Sequence, residues 1–183
     1  MWALLELHQT EVDARAVYLA AGGKLLFEGA TETWSAVLQP FSHRGETNWS
    51  PDPLFAPGNR LSQEGPFVVL TTVGFDLELD PDLTRVREFI RGSAAVRSFF
   101  AATPGLRCEH SFAFGMTDTD SFTFSIWDSD DALRRPVYEP GEHRTRMDDY
   151  YRNGTADGSS FKRLRVVESS GAWNGGALVD RSA

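Results

Sequence analysis

Phe122-Thr-Phe-Ser-Ile-Trp127, followed by Asp128-Ser-Asp-Asp131 and then by Tyr138-Glu-Pro-Gly-Glu-His143, is the stretch that decides the fold. The first six residues are aromatic or alternate with small polar ones, which reads as a strand. The carboxylates after it suit a helix N-terminus, where they cap free amides and meet the positive end of the dipole. They read as a helix start and not as a metal site. Pro136 is expected to interrupt that helix, and Gly141 to Asn153 to continue it, with Gly154 ending it and His143 lying just inside.

Working outward, Leu106 to Phe114 pairs with this strand through a turn at Gly115 to Asp120. Upstream, Phe67 to Phe75 is a strand rich in Val and Thr, Asp80-Pro81 opens a helix to about Phe100, and Pro104-Gly105 stops it. Downstream, Ser160 to Glu168 closes the set. The order β-α-β-β-α-β is that of a ferredoxin-like unit, an antiparallel sheet with its helices on one face. Its other face has to be covered, by a second copy within the chain or by a partner subunit.

The N-terminal part predicts a strand at Trp2 to Leu7, a helix at Thr10 to Ala21 and a strand at Trp34 to Leu38. Pro40 to Pro66, with Pro51, Pro53 and Pro57, reads as an irregular connection. Trp2 to Tyr18 aligns without a gap with Phe122 to Tyr138, which suggests a repeat. The expected organisation is a partial ferredoxin-like half-repeat over 1–50, a linker over 51–66 and a complete unit over 67–183. The fold class is α+β, of the dimeric α/β-barrel type. An unfinished sheet exposes edges, so a homo-oligomer is expected.

Hydrophobic residues make up 41% of the 183 and aromatics 12%, enough for a packed, aromatic core. A net charge of −8, with 18 Lys and Arg scattered along the chain, argues against a nucleic-acid partner. The single cysteine, Cys108, permits no intrachain disulfide and fits a reducing, cytoplasmic compartment. No run approaches the roughly eighteen apolar residues of a transmembrane helix, and the start lacks the features of a signal peptide. Local motifs for zinc proteolysis, serine hydrolysis or nucleotide binding are absent.

Trp34 to Pro40, Ser42-His-Arg-Gly45 with Trp49, Gly65-Pro-Phe-Val-Val-Leu-Thr71, Thr123-Phe-Ser-Ile-Trp127, Gly141-Glu-His143 and Gly171-Ala-Trp-Asn-Gly175 occur in this order. Together they resemble the landmarks of the spheroidene monooxygenase-like proteins, the Phe-Ser-Ile-Trp block being the most specific. The resemblance implies tandem ferredoxin-like halves and a haem-dependent oxygenase acting on an apolar, carotenoid-like molecule, supplied by an external electron donor. Two segments depart from the family pattern. Thr155-Ala-Asp-Gly-Ser-Ser160 replaces a Trp-Phe with paired acids, and Cys108, Glu109 and His110 occupy a normally Gly-rich strand.

Haem iron needs a strong axial donor, usually a neutral imidazole, held on a rigid element beside an apolar cleft. By position His143 is the candidate iron ligand, as the resemblance also implies, with Met147 one helical turn on. Its other reading is a surface histidine between Glu142 and Arg144. Trp127 and Phe124 are candidate haem-wall residues or plain core. Arg44 is a candidate partner for a haem propionate, since a guanidinium fork matches a carboxylate, or an exposed loop arginine. His110, His43 and His8 are the alternative ligands. A second functional class is a non-catalytic α/β-barrel module that binds haem or a small apolar ligand, or an oligomeric scaffold.

Overall fold

The computed structural model describes residues 11–20, 31–46, 65–79, 81–113, 121–154, 156–174 and 176–179. In chain order these form α1 (Glu11–Ala20), β1 (Trp34–Glu46), β2 (Phe67–Gly74), α2 (Thr84–Ala101), β3 (Leu106–Ala113), β4 (Ser121–Trp127), α3 (Asp130–Tyr138), α4 (Glu142–Asn153) and β5 (Gly158–Gly171). The strands make one antiparallel sheet in the order β1-β5-β2-β4-β3. Removing β1 leaves β5-β2-β4-β3, the strand order of the ferredoxin-like unit expected from the sequence.

β1 departs from expectation. The strand expected to end at Leu38 continues to Glu46, through Pro40, and bonds to β5 along its whole length. A proline is tolerated because β1 is an edge strand and needs no amide on its outer side. It therefore extends this same sheet; the strand expected at Trp2 to Leu7 and residues 51–64 of the expected linker lie outside the described residues. β5 is also longer than expected, running to Gly171. Past Arg165, which pairs with Phe67 at the start of β2, the β1–β5 ribbon has no β2 partner.

Two register shifts, between Val37 and Leu38 and between Pro40 and Ser42, bend that ribbon. Its end curls over the sheet face away from the helices. Trp34 there meets Phe124 at 5.7 Å, and Trp173, just past the ribbon, meets His110 at 4.7 Å. At the end of β5, Gly171 has φ +91, and a Cβ there would collide with the Thr33 carbonyl. Glycine is what lets the two strands approach at this corner. The face that was expected to need a second sheet is thus partly covered by this chain's own Trp34, Trp173, Leu178 and Val179, packed on Val68, Leu70, Ile126 and Leu164.

The opposite face carries the helices. Phe67, Val69 and Trp127 form its core with Leu133 of α3, and Phe100 of α2 packs on them. α2 begins at Thr84 and not at Asp80-Pro81, because Leu83 sits in the left-handed region (φ 55) and interrupts the helical path. α3 runs through Pro136 to Tyr138, where an interruption was expected. Pro136 is buried against the core in the last turn of a nine-residue helix, so the ring removes a single ladder bond and gains packing. Ser129 caps this helix by accepting from the Ala132 amide, with Asp130 and Asp131 in its first turn, as the acidic run foretold.

Arg85 at the start of α2 and Asp157 before β5 form a two-pronged ion pair at 3.0 and 2.9 Å, and Asp157 also accepts from the Asp76 amide at 2.7 Å. The Arg85 hydrogen bond first, then the Asp76 amide, hold the Asp157 carboxyl below its ordinary 3.8. A depressed carboxylate stabilises the fold above its unfolded value and loses that contribution as pH falls through the lower folded value. Asp157→Asn is expected to cost about 1 kcal/mol or less at neutral pH. Its urea midpoint and that of the wild type are expected to converge below about pH 3; a constant gap down to that pH would contradict the assignment.

Candidate functional site

His143 follows from local sequence in three steps. Glu139-Pro140-Gly141 ends α3 and restarts the chain as α4, so a histidine two residues past the glycine lies in the first helical turn. At that position the side chain turns back along the helix toward α3. There its Nδ1 lies 3.2 Å from the Val137 carbonyl. A carbonyl only accepts, so Nδ1 carries the proton and Nε2 is the nitrogen with the lone pair.

The ring is half-buried and stacks on Phe100 of α2, with centroids 5.1 Å apart and planes at 29°. Phe100 in turn meets Trp127 edge-on at 5.5 Å and 88°. Trp127 is 1% exposed and donates its indole N–H to Ser125 at 3.0 Å. The result is a stack from the sheet through α2 to α4. Burial lowers the pKa of His143, and the Val137 bond opposes this only in part. The imidazole is therefore neutral at pH 7, the form that ligates a metal.

The predicted site residues fall into two groups. His143 and Trp127 are brought together, through Phe100, in the helix layer, with Met147 half-buried one turn further along α4. Phe124 and Arg44 are not part of this group. Phe124 is three residues before Trp127, so alternation sends it to the opposite face, where it meets Trp34. Arg44 is exposed on the edge strand β1, opposite Phe161. Among the alternative ligands, His110 and His43 also lie on the Phe124 side, and His8 is outside the described residues.

His143 is the side chain in the helix layer that could offer a ring nitrogen to a metal. Its Nδ1 is tied to a backbone carbonyl, as the second nitrogen of metal-bound histidines commonly is, and its ring stacks on Phe100. The cysteine, Cys108, lies on the other face of the sheet. Burial pushes the Cys108 thiol up to about 11, so it is no thiolate at neutral pH. An open groove of about 490 Å³ lies between α2 and the β3 edge, lined by residues that include Arg97, Arg107, Cys108 and Glu109, and does not reach His143. In it Arg97 pairs with Glu109 at 3.2 Å, while burial raises the Glu109 carboxyl against that pairing.

Sequence reasoning missed Phe100 and Lys162. Phe100 was placed at a helix end, with no signal for its partner. Lys162 carried a signal, since it alternates in phase with Ser160 and Leu164 and so had to share their face.

No family model and no curated protein matches the chain. Among solved structures it is similar to a protein from Fusobacterium nucleatum described as a candidate monooxygenase, at 12% identity and a TM-score of 0.52, over 94% of this chain and 65% of that one. It is also similar to SnoaB, a cofactor-independent oxygenase from Streptomyces nogalater, at 20% identity and a TM-score of 0.39, over 58% of this chain and 95% of that one. A candidate antibiotic-biosynthesis monooxygenase from Caulobacter crescentus gives 18% identity and a TM-score of 0.42, over 58% of this chain and 94% of that one. The chain thus spans about 65% of the length of the Fusobacterium protein, with which it shares an α+β, ferredoxin-like fold.

Proposed function

We propose that this chain is a haem-dependent, monooxygenase-like protein acting on an apolar small molecule, with His143 as the iron ligand. The observation that carries the reading is the fixed tautomer of His143: Nδ1 is spent on the Val137 carbonyl, so Nε2 is the donor. A haem bound there would supply the oxygen-activating chemistry. The chain's own share is to hold a neutral donor on α4 and to fix its ring plane against Phe100, which itself packs on Trp127.

The spheroidene monooxygenase-like landmarks in the sequence favour a linear, carotenoid-like substrate. Electrons for such a reaction come from an external donor. Exposed Ile90, Phe99 and Tyr138 on the helix layer suit a homo-oligomer. No described helix is long and apolar enough to cross a membrane.

Titration of the purified chain with hemin tests the reading. A saturable Soret band with an end point at one haem per chain is expected. A linear, non-saturating rise would instead favour a module that does not use haem.

A further inference from the structure

β3 ends the sheet: its inner side pairs with β4, and among the described residues no strand pairs with its outer side. Such an edge presents a row of backbone N–H and C=O groups that another strand can meet. Little in β3 guards against this. It carries no proline and no lysine, and its one irregularity, between Leu106 and Cys108, lies at its start.

α2 leaves the same margin open. Ala94, Arg97, Ser98 and Ala101 recur at helical spacing, so one stripe of α2 overlooks the β3 edge and, with residues 106–109, bounds the groove of about 490 Å³. Three of these four are small. Ile90, one turn back along the stripe, is 60% exposed. Small residues let a second helix approach closely, and the isoleucine offers it apolar surface to cover.

Layer spacing decides what fits there. Helices pack about 10 Å apart and strands lie about 4.8 Å apart, so each helix covers two strands. A second copy laid edge to edge against β3 therefore brings its own α2 to one helix spacing from this one. We propose that β3 and the α2 stripe form a homodimer interface, in which the β3 strands of two copies pair antiparallel about a two-fold axis and the groove is filled by the partner.

Symmetry restricts the register. A two-fold axis normal to the sheet keeps each face on its own side, so residues that stand opposite must share a face, and one residue stands opposite its own copy. Centring on Glu109 sets two carboxylates against each other. Centring on His110 pairs residues 107–113 and places Glu109 opposite the partner's Ser111 and Cys108 opposite the partner's Phe112. The Glu109 carboxyl, which meets Arg97 at 3.2 Å in its own chain, gains a hydroxyl donor, since Ser111 is exposed. The contact is closed, so assembly through this edge stops at two copies. It takes up the homo-oligomer of the proposed reading and does not involve His143, so its failure and that of the haem reading are separate results.

Light scattering on a size-exclusion column is expected to show the full chain as a dimer. His110→Lys sets two ammonium groups on the axis and is expected to weaken dimerisation at least roughly tenfold, with the far-ultraviolet circular dichroism unchanged. Ile90→Glu, on the exposed stripe, gives the same direction without touching the sheet. The double variant Cys108→Ser, His110→Cys brings two thiols opposite each other at a separation a disulfide spans, so mild oxidation is expected to give a covalent dimer that reductant reverses. Cys108→Ser alone gives none. A monomeric wild type, a dimer that persists in both His110→Lys and Ile90→Glu, or a folded double variant without the interchain disulfide overturns the assignment.

Discussion

Trp127→Ala is expected to destabilise the chain by about 3–5 kcal/mol, the range for removing a large aromatic side chain from a closed core. The residue is 1% exposed, lies opposite Phe67 on the helix face, and receives Phe100 edge-on. Its loss leaves a cavity between the sheet and α2 and strands the Ser125 hydroxyl that accepts its indole N–H. For a chain of this size the melting temperature is expected to fall by on the order of 10 °C. Trp127→Phe refills most of the volume and gives up the hydrogen bond, so it is expected to cost only about 1–2 kcal/mol. Thermal unfolding of the two variants checks this, and equal losses in both would mean that the hydrogen bond, not the packing, dominates.

The same position shows how much of the fold was legible. Ser121 to Trp127 has strand bounds readable to the residue, since aromatic alternation and the acidic helix start leave no freedom at either end. The β-α-β-β-α-β order follows from such local signals. What failed was reading single residues against their neighbours. Pro40 looked like a strand end, and only pairing to β5 on one side makes it an edge position. Pro136 looked like a helix break, and burial on the core overrode it.

Trp127 and Phe124 were grouped as one wall, although three residues apart on a strand puts them on opposite faces. The period-two rule was available and would have separated them. His143 was placed on the correct helix from sequence, but its ties to Val137 and Phe100 join three helices, and no local pattern encodes such long-range contact. Lys162 is the reverse case. Its phase was legible in the sequence, and its complete burial was not.

His143→Ala is expected to abolish the Soret absorption of protein produced with a haem precursor, because the helix layer around it offers no second imidazole among the described residues. Retained absorbance would move the ligand to His110 or His43, on the other face. Added imidazole is expected to restore part of the band in the variant, since the truncated side chain leaves a hollow beside Phe100. Stability moves in a defined direction. A histidine whose folded pKa is lowered binds fewer protons folded than unfolded, so the wild type loses stability as pH falls below 6.5 toward that lower value. His143→Ala is expected to lose this slope.

The proposed bond between His143 and iron is most directly tested by resonance Raman spectroscopy of the ferrous, haem-loaded chain. An iron–histidine stretching band is predicted in the wild type. It is expected to shift when the protein is made with nitrogen-15 histidine, and to be missing in His143→Ala. A wild type without that band, or a variant that keeps it, would contradict the account.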